Sequence, residues 1–553
     1  MRKYRNIAFV IFSLMLSMVS YGQDDWENNT GEIEDVEVQI IKDREIKLLK
    51  ANRNFEKINP TITATDLPKF QYEFQEFNFE VPDLIFKLRP LRIKNEQLQK
   101  LYGGYLKAGF GNFGTPYLEG YVNNKRDQQY TYGAHVKHLS SKNGPVDGEN
   151  SGVSESQIDV FGKVFTKKAV LGGSLGFGQN KVYFYGYPEG DVVNADDIKQ
   201  RFTKINVNGF VKSNNAEDDP GYEFRMGYKQ ISDDYNAKEG IFSSTFELTY
   251  PINNDNAIDV VADLEVISRT DNNVSDDRIL FSIQPTYKFK YNDFKLTVGL
   301  NTAYENDTLQ SLGKLHVYPL IGAAYDVSEQ VELYAGIDGG IVSNTYYSIV
   351  DRIPFVNADV PIYFTNKLYQ FTGGLRAKVG KSSFVHAGFS MGGYKEYQYV
   401  INDITDVSKF NLIYDPETST IANIFGEWGL TKSQQFQLSI RGDYFMYNMG
   451  SQPEAWHQPQ FKITTLAKYN IFDKIILEAD LHVLGGIKAI DLNTNTSVGL
   501  DAVIDFGVQG KYLLSEQFSI FVKLNNILSQ ENQLFYRYPV KGFQAIGGIS
   551  YTF

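Results

Sequence analysis

The sequence predicts an all-β protein: a transmembrane antiparallel β-barrel of about twenty-two strands, with a short N-terminal arm in the periplasm or the lumen. Three observations support this prediction. Apolar and polar residues alternate along many segments after Leu101, short turns alternate with long polar loops between those segments, and the chain begins with an export signal. The predicted location is the outer membrane of a Gram-negative-type bacterium.

The composition excludes several other classes of protein. Aromatic residues make up 14% of the 553 residues, and Gly (47) outnumbers Pro (17), which favours strands. Hydrophobic residues make up only 42%, too few for a bundle of apolar helices of roughly 20 residues each. The net charge of -12 argues against a nucleic-acid partner. With no cysteine, the chain has no disulfide, thiolate metal site or lipid-anchored N-terminal cysteine.

The chain divides into three parts: a signal peptide (1–22), an arm (23–101) and a barrel (102–553). Basic residues precede an apolar run over 7–19, and the small residues that follow predict cleavage after Gly22. A single membrane anchor is the alternative, but the run is short for a span. The arm carries charged runs and a Phe-rich stretch. We hypothesise that residues 70–86 fold into or under the barrel while 32–57 stay periplasmic; a loosely ordered tail is the alternative.

Alternation with period two is clearest over residues 435–447, where the apolar and polar side chains fall on opposite faces. The apolar face comprises Phe436, Leu438, Ile440, Tyr444 and Met446. The same pattern covers residues 279–290 and restarts after Asn292 and Asp293, which predicts a hairpin.

The lengths of the connections separate a membrane barrel from a soluble sandwich. Tight turns are predicted at 166–168, 292–293, 328–329, 431–433, 472–473 and 515–516, and longer loops at 140–154, 188–197, 305–313, 343–366 and 528–539. Outer-membrane barrels have short periplasmic turns and long external loops, whereas a sandwich has no reason to keep this asymmetry. An even strand number places both termini in the periplasm.

The C-terminal strand resembles the signal that barrel-assembly machinery recognises. The predicted insertion signal comprises Phe543, Ile549, Tyr551 and Phe553, although Ile546 stands where a polar residue is usual.

The same region resembles the last hairpin of TonB-dependent receptors. The residues that carry this resemblance are 524–528 (LNNIL), 536–543 (YRYPVKGF) and 547–553 (GGISYTF). It implies a barrel of twenty-two strands, as in that family. Lys541 and Gly542 replace the commoner Pro-Gly-Arg, and the sequence shows neither the long plug of the family nor its energy-coupling box. Energised import is therefore not carried over.

Catalytic and metal sites find little support. His135 and His138 precede Ser140 and Ser141, and His482 alternates with acidic residues, which are the residue types of a catalytic site. The residues around them match no catalytic family motif. A hydrogen-bonded network of lumenal side chains is the better interpretation, so no catalytic residue is assigned and no enzyme is predicted. Acidic loop residues at 147–149 and 196–197 lack the spacing of a calcium loop, so no metal or cofactor is predicted.

Three functional classes remain: a subunit of a complex, a transporter and an enzyme. We predict a non-catalytic accessory or scaffold subunit of an outer-membrane complex, of the secretion or barrel-assembly type. An apolar strip in the loop 343–366 would bind the partner: Tyr346, Tyr347, Ile349, Ile353, Phe355 and Val356.

Two alternatives stay open. The loop can instead fold into the mouth of its own barrel, and the chain can be an outer-membrane transporter, either receptor-like or a passive pore. The predicted partners are outer-membrane lipid, the barrel-assembly machinery, and other outer-membrane proteins or surface lipoproteins, with no nucleic acid.

Overall fold

The computed structural model describes residues 101–125, 127–214, 220–273, 275–307, 314–433 and 435–553. The predicted signal peptide and residues 23–100 of the arm lie outside this range, so their boundaries and the hypothesis for residues 70–86 stay predictions. Among the described residues, no helix is long and apolar enough to cross a membrane.

One 22-stranded antiparallel sheet closes into a barrel, because the first strand pairs with the last. In this closing pair Leu106 opposes Tyr551, and Ala108 opposes Ile549. Closure leaves no free sheet edge, which a barrel in lipid requires. The predicted fold class is confirmed. The barrel strands are β1 (Gly104–Gly111), β2 (Thr115–Asn123), β3 (Tyr130–Ser141), β4 (Val153–Phe165), β5 (Ala169–Tyr183), β6 (Lys199–Ser213), β7 (Gly221–Ser232), β8 (Lys238–Asn253), β9 (Asn256–Thr270), β10 (Ser275–Tyr291), β11 (Phe294–Glu305), β12 (Leu315–Ser328), β13 (Val331–Val342), β14 (Thr365–Val379), β15 (Ser383–Lys395), β18 (Ser419–Lys432), β19 (Phe436–Asn448), β20 (Phe461–Ile471), β21 (Ile475–Gly485), β24 (Val503–Leu513), β25 (Phe518–Asn525) and β28 (Gln544–Thr552).

The long loops contain short elements of their own. Three two-stranded hairpins lie outside the barrel sheet, and one α-helix and one 3₁₀ turn accompany them within the described range. These elements are β16 (Tyr397–Asn402) with β17 (Phe410–Asp415), β22 (Lys488–Asp491) with β23 (Thr496–Gly499), β26 (Gln533–Phe535) with β27 (Tyr538–Pro539), the helix α1 (Tyr346–Arg352), and the 3₁₀ turn Gly148–Ser151.

The connections alternate as predicted, so the barrel has a turn end and a loop end. Asn292 and Asp293 join β10 to β11, and Asn292 adopts the left-handed conformation (φ 54°) that tight hairpin turns require. The connections over 184–198, 343–364, 396–418 and 526–543 all leave the opposite end. Both β1 and β28 have their free ends at the turn end. In an outer-membrane barrel the turn end faces the periplasm and the loop end faces outside.

The outer face of the barrel is apolar. Along β5, Leu171, Leu175 and Phe177 are each about half exposed, and Ile440 and Tyr444 of β19 alternate in the same way with inward polar residues. Large apolar side chains on the outside of a closed barrel are stable only against hydrocarbon. The protein therefore lies in the outer membrane, with a polar lumen.

The four residues of the predicted insertion signal lie on this outer face. Ile549, Tyr551 and Phe553 are exposed at the end of β28, and Phe543 is exposed just before it. The Tyr551 and Phe553 rings stack with centroids 5.9 Å apart. Recognition of these residues by assembly machinery stays a prediction.

Candidate functional site

Among the described residues, the largest buried apolar cluster lies at the loop end of the barrel. Its centre is the stretch of residues 343–364, which we call the inward segment. Helix α1 begins within this segment because Thr345 and Ser348 form a capping box. Ser348 N donates to the Thr345 hydroxyl (3.0 Å), and Thr345 N donates to the Ser348 hydroxyl (3.1 Å). Pro354 follows directly after the last turn, since proline does not continue a helix.

The inward segment directs its apolar side chains into the protein. Four of the six residues of the predicted partner-binding strip are almost fully buried: Tyr346, Ile349, Ile353 and Val356. The other two, Tyr347 and Phe355, pack against the same cluster, which includes Phe202 of β6 and Ile231 of β7. The prediction that this strip is exposed was therefore wrong. The loop folds into the mouth of its own barrel, which was the alternative. A partner for this loop stays a prediction.

A buried carboxylate holds the start of α1. Glu239, near the loop end of β8, is fully buried and accepts hydrogen bonds from the backbone N–H groups of Tyr346 and Tyr347, both at 2.9 Å. These N–H groups have no partner within the helix, and the helix dipole favours a negative charge there. Glu239 therefore supplies both the hydrogen-bond acceptors and the charge that the helix start requires.

Two buried arginines hold carbonyl groups of the same segment. Arg269 of β9 donates to the carbonyls of Ala358 (2.7 Å) and Val360, and Arg278 of β10 donates to that of Asn344 (3.0 Å). Both guanidinium groups also lie near carboxylates. Nη2 of Arg269 is 2.9 Å from Asp271, and Arg278 lies 3.8 Å from Glu239 and 4.0 Å from Asp307.

Asp233 and Asp307 complete the group of charged residues around the inward segment. Asp233 accepts from the Tyr346 hydroxyl (2.7 Å), and Asp307 accepts from Phe364 N (2.6 Å). Burial raises the pKa of both carboxyl groups, and it raises the pKa of Tyr346 well above its ordinary value. We call this group the wall cluster: Asp233, Glu239, Arg269, Arg278 and Asp307.

The far side of the inward segment contacts other loops rather than the wall. Val356 pairs with Phe410 of β17 in a parallel bridge, and the Phe355 and Tyr538 rings stack with centroids 3.9 Å apart. His457 joins two further loops, since Nδ1 lies 2.7 Å from the carbonyl of Val400 and Nε2 accepts from Tyr536 N (3.3 Å). Burial lowers the pKa of His457 to about 4, so the ring is neutral at pH 7.

Ion pairs line the lumen towards the turn end. Lys295 lies 3.0 Å from Asp326 and 3.1 Å from Glu332, and Arg376 lies 2.8 Å from Glu332. These residues and His386 line a cavity of about 950 Å³. The charged side chains largely neutralise one another, so this part of the lumen offers a hydrated surface of mixed charge.

The histidines that the sequence singled out lie in hydrogen-bonded networks on the strands. His135 lies 3.4 Å from Glu119 and 3.4 Å from Asp159, and His138 lies 2.8 Å from the Ser156 hydroxyl. His482 is 3.9 Å from Asp480. His135 and His482 share the lumenal face with these acidic residues, as the interpretation of a lumenal network has it. His138 and Ser156 instead lie on the outer face, beside Leu118 and Ile158, so that interpretation does not describe His138.

The acidic loop residues considered as calcium ligands bind other side chains. Asp147 accepts from the Tyr187 hydroxyl (2.7 Å), Glu149 pairs with Lys142 (2.9 Å), and Asp196 pairs with Lys199 (3.0 Å). Among the residues that the structure describes, no group of three or more His, Asp or Glu side chains is placed to hold a metal ion.

The sequence matches no family model and no curated protein. Its fold matches solved barrels over most of both chains. The FrpB iron transporter from Neisseria meningitidis superimposes with a TM-score of 0.65 at 10% identity, over 82% of each chain. The ferric-catecholate import receptor Fiu from E. coli K12 gives 0.62 at 10% identity, over 83% of this chain and 82% of the other. The siderophore receptor PirA from Pseudomonas aeruginosa gives 0.57 at 11% identity, over 83% and 81%.

The fold is that of these receptors. The resemblance to the TonB-dependent receptor barrel, inferred from the last hairpin, is confirmed for the fold. The predicted role as an accessory or scaffold subunit was wrong, because the structures that share the barrel are transporters and import receptors. The sequence interpretation relied on an apolar loop taken to be exposed, and the structure buries that loop. The matched structures are transporters and receptors rather than enzymes.

Proposed function

We propose that the protein is an outer-membrane transporter that moves a hydrophilic solute through its lumen when the inward segment leaves the mouth. The observation that carries this proposal is a polar lumen whose loop end holds a folded segment, attached by charged side chains of the wall and by apolar packing. The similarity in fold to iron transporters and siderophore receptors supports the transporter class.

The way in which the segment is held favours controlled opening. Its links to the wall are charged hydrogen bonds and apolar contacts with Phe202 and Ile231, and these side-chain contacts can break without unfolding the barrel sheet. The wall itself is a continuous hydrogen-bonded ladder from β1 to β28. Displacement of residues 343–364 would therefore open the lumen while the barrel stays intact.

Solute flux in proteoliposomes tests this function. Glu239→Ala with Arg278→Ala removes one acid and one base that hold the inward segment, and we expect at least fivefold faster efflux of a small hydrophilic dye. The matched control is Lys142→Ala with Glu149→Ala, which removes an exposed loop ion pair of the same charge and should leave efflux at the wild-type level. Efflux from the Glu239 and Arg278 variant equal to that of empty liposomes would contradict transport.

A further inference from the structure

The side chains of the wall cluster bind mainly to main-chain groups of the inward segment, and less to its side chains. Glu239 accepts from two backbone N–H groups and Asp307 from one, while Arg269 donates to two backbone carbonyls and Arg278 to one. Four charged side chains of the barrel thus make six hydrogen bonds to peptide groups. Every peptide offers such groups, whatever its sequence.

Beside these charges lies a pocket suited to an aromatic side chain with a polar end. The Tyr346 ring packs edge to face against Phe202, with centroids 6.5 Å apart, and lies 5.2 Å from the Arg269 guanidinium. Its hydroxyl donates to Asp233, which Gln200 also contacts at 3.0 Å. The pocket therefore recognises both the apolar ring and the hydroxyl of a tyrosine.

One more contact selects an acidic residue. Lys204 of β6 is buried and pairs with Asp351, five residues after Tyr346. The Lys204 ammonium also lies 4.9 Å from the centre of the Tyr347 ring. A helical peptide with an aromatic residue and a carboxylate five positions later would satisfy the pocket and Lys204 together.

The inward segment leaves part of the wall cluster unused. Among the described residues, Nε of Arg269 and Oδ1 of Asp307 are buried without a hydrogen-bond partner, and Nη1 of Arg278 has only its ion pair with Asp307 at 4.0 Å. Unpaired polar groups in the interior weaken the state that contains them. A ligand that paired with these atoms would bind the wall cluster more tightly than the chain's own segment does.

We infer that the wall cluster, with the Tyr346 pocket and Lys204, is a peptide-binding site that the chain fills with its own residues 343–364 in the closed state. An external peptide with the same aromatic and acidic pattern competes with this segment and displaces it. The inference deepens the proposed function and rests on it, in that the peptide would be the transported solute. Binding of the peptide is measured on the detergent-solubilised protein, so the result does not depend on whether the protein transports it.

The probe is a fluorescein-labelled synthetic peptide with the sequence of residues 343–364, and its binding to the detergent-solubilised full chain is followed by fluorescence anisotropy. A cysteine pair holds the inward segment closed: Asn357→Cys with Asn411→Cys. These two asparagines converge on Oδ2 of Asp403, and residues 356 and 410 beside them form the parallel bridge. The chain has no other cysteine. We expect the oxidised pair to bind the probe at least tenfold more weakly than the same protein after reduction.

A second variant separates loss of the site from loosening of the segment. Glu239→Ala with Arg269→Ala weakens the hold on the inward segment but also removes four of the six main-chain contacts, so we expect at least tenfold weaker probe binding than to the wild type. A scrambled peptide is the control for charge and hydrophobicity, and heat-modifiable gel migration shows that each barrel is folded.

Three results would overturn the inference: equal binding of the scrambled peptide, wild-type affinity in the Glu239 and Arg269 variant, or no effect of oxidation. Specific peptide binding without dye efflux in liposomes would refute the proposed transport function and leave the peptide site standing. Dye efflux without peptide binding would refute the peptide site and leave the proposed transport function standing.

Discussion

Replacing Glu239 by alanine should release helix α1 from the barrel wall while leaving the barrel sheet unchanged. The substitution removes the acceptor of two backbone N–H groups, those of Tyr346 and Tyr347, and neither gains another acceptor in the buried site. It also removes the carboxylate 3.8 Å from Arg278. Each effect destabilises the docked segment relative to the released one.

The size of the effect follows from these contacts. A buried donor left unpaired costs about 1–3 kcal/mol, so the two N–H groups together give roughly 3 kcal/mol even near the lower end of that range. The loss of the partner of Arg278 acts in the same direction. A change of roughly 3 kcal/mol shifts the ratio of released to docked segment by about a hundredfold.

Hydrogen exchange followed by mass spectrometry measures this ratio directly, because amide groups exchange when the segment opens. We expect peptides that cover residues 343–364 to exchange about a hundredfold faster in Glu239→Ala, whereas peptides from β18 to β21 should be unchanged. Glu149→Ala, at an exposed loop position, is the matched control. Exchange within threefold of wild type would refute the assignment of Glu239 as the principal anchor of α1.

Three further predictions concern other parts of the chain. Burial lowers the pKa of His457, so protonation of its ring destabilises the packed loops as the pH falls from about 6.5 to about 4, by roughly 3 kcal/mol in total. His457→Asn should remove this part of the acid sensitivity, which is measured as hydrogen exchange over residues 449–460 at pH 7 and pH 4.5. An unchanged acid sensitivity in the variant would count against the assignment. Phe472 adopts φ 53° in an exposed turn, so Phe472→Asn should stabilise the barrel by about 1 kcal/mol in denaturant titrations, and a lower midpoint would be inconsistent with strain there. If residues 70–86 occupy or underlie the barrel, deletion of residues 23–101 should raise single-channel conductance severalfold when it is made in the Glu239→Ala, Arg278→Ala variant, in which the inward segment is released. An unchanged small conductance in that background would remove the hypothesis.

The barrel was predictable because its signal is local and repeated. Alternation over residues 435–447 predicts β19, which spans Phe436–Asn448, and the pair Asn292 and Asp293 marks the turn between β10 and β11. The Gly-rich stretch 172–178 lies inside the continuous strand β5. Such patterns need only neighbouring residues, because the pleat fixes which side chains share a face.

The candidate site was not predictable in the same way. Helix α1 has only seven residues, which is too few to show a repeated helical pattern of apolar residues. Its clearest local signal is the pairing of Thr345 with Ser348. Its burial depends on Glu239 and Arg278, which lie far earlier in the sequence and meet it only after the barrel closes. An apolar loop has the same composition whether it faces a partner or its own lumen, so the sequence alone favoured the wrong functional class.

Anchoring through peptide groups has a consequence for how this surface can change over generations. Substitutions at exposed positions of the inward segment leave its amide and carbonyl groups in place, so the attachments to Glu239, Arg269 and Arg278 tolerate a wide choice of side chains there. The exposed positions of the segment are thus free to vary, whereas buried positions such as Tyr346 and Ile353 are not. The segment would stay attached to the barrel wall while the residues on its exposed surface change.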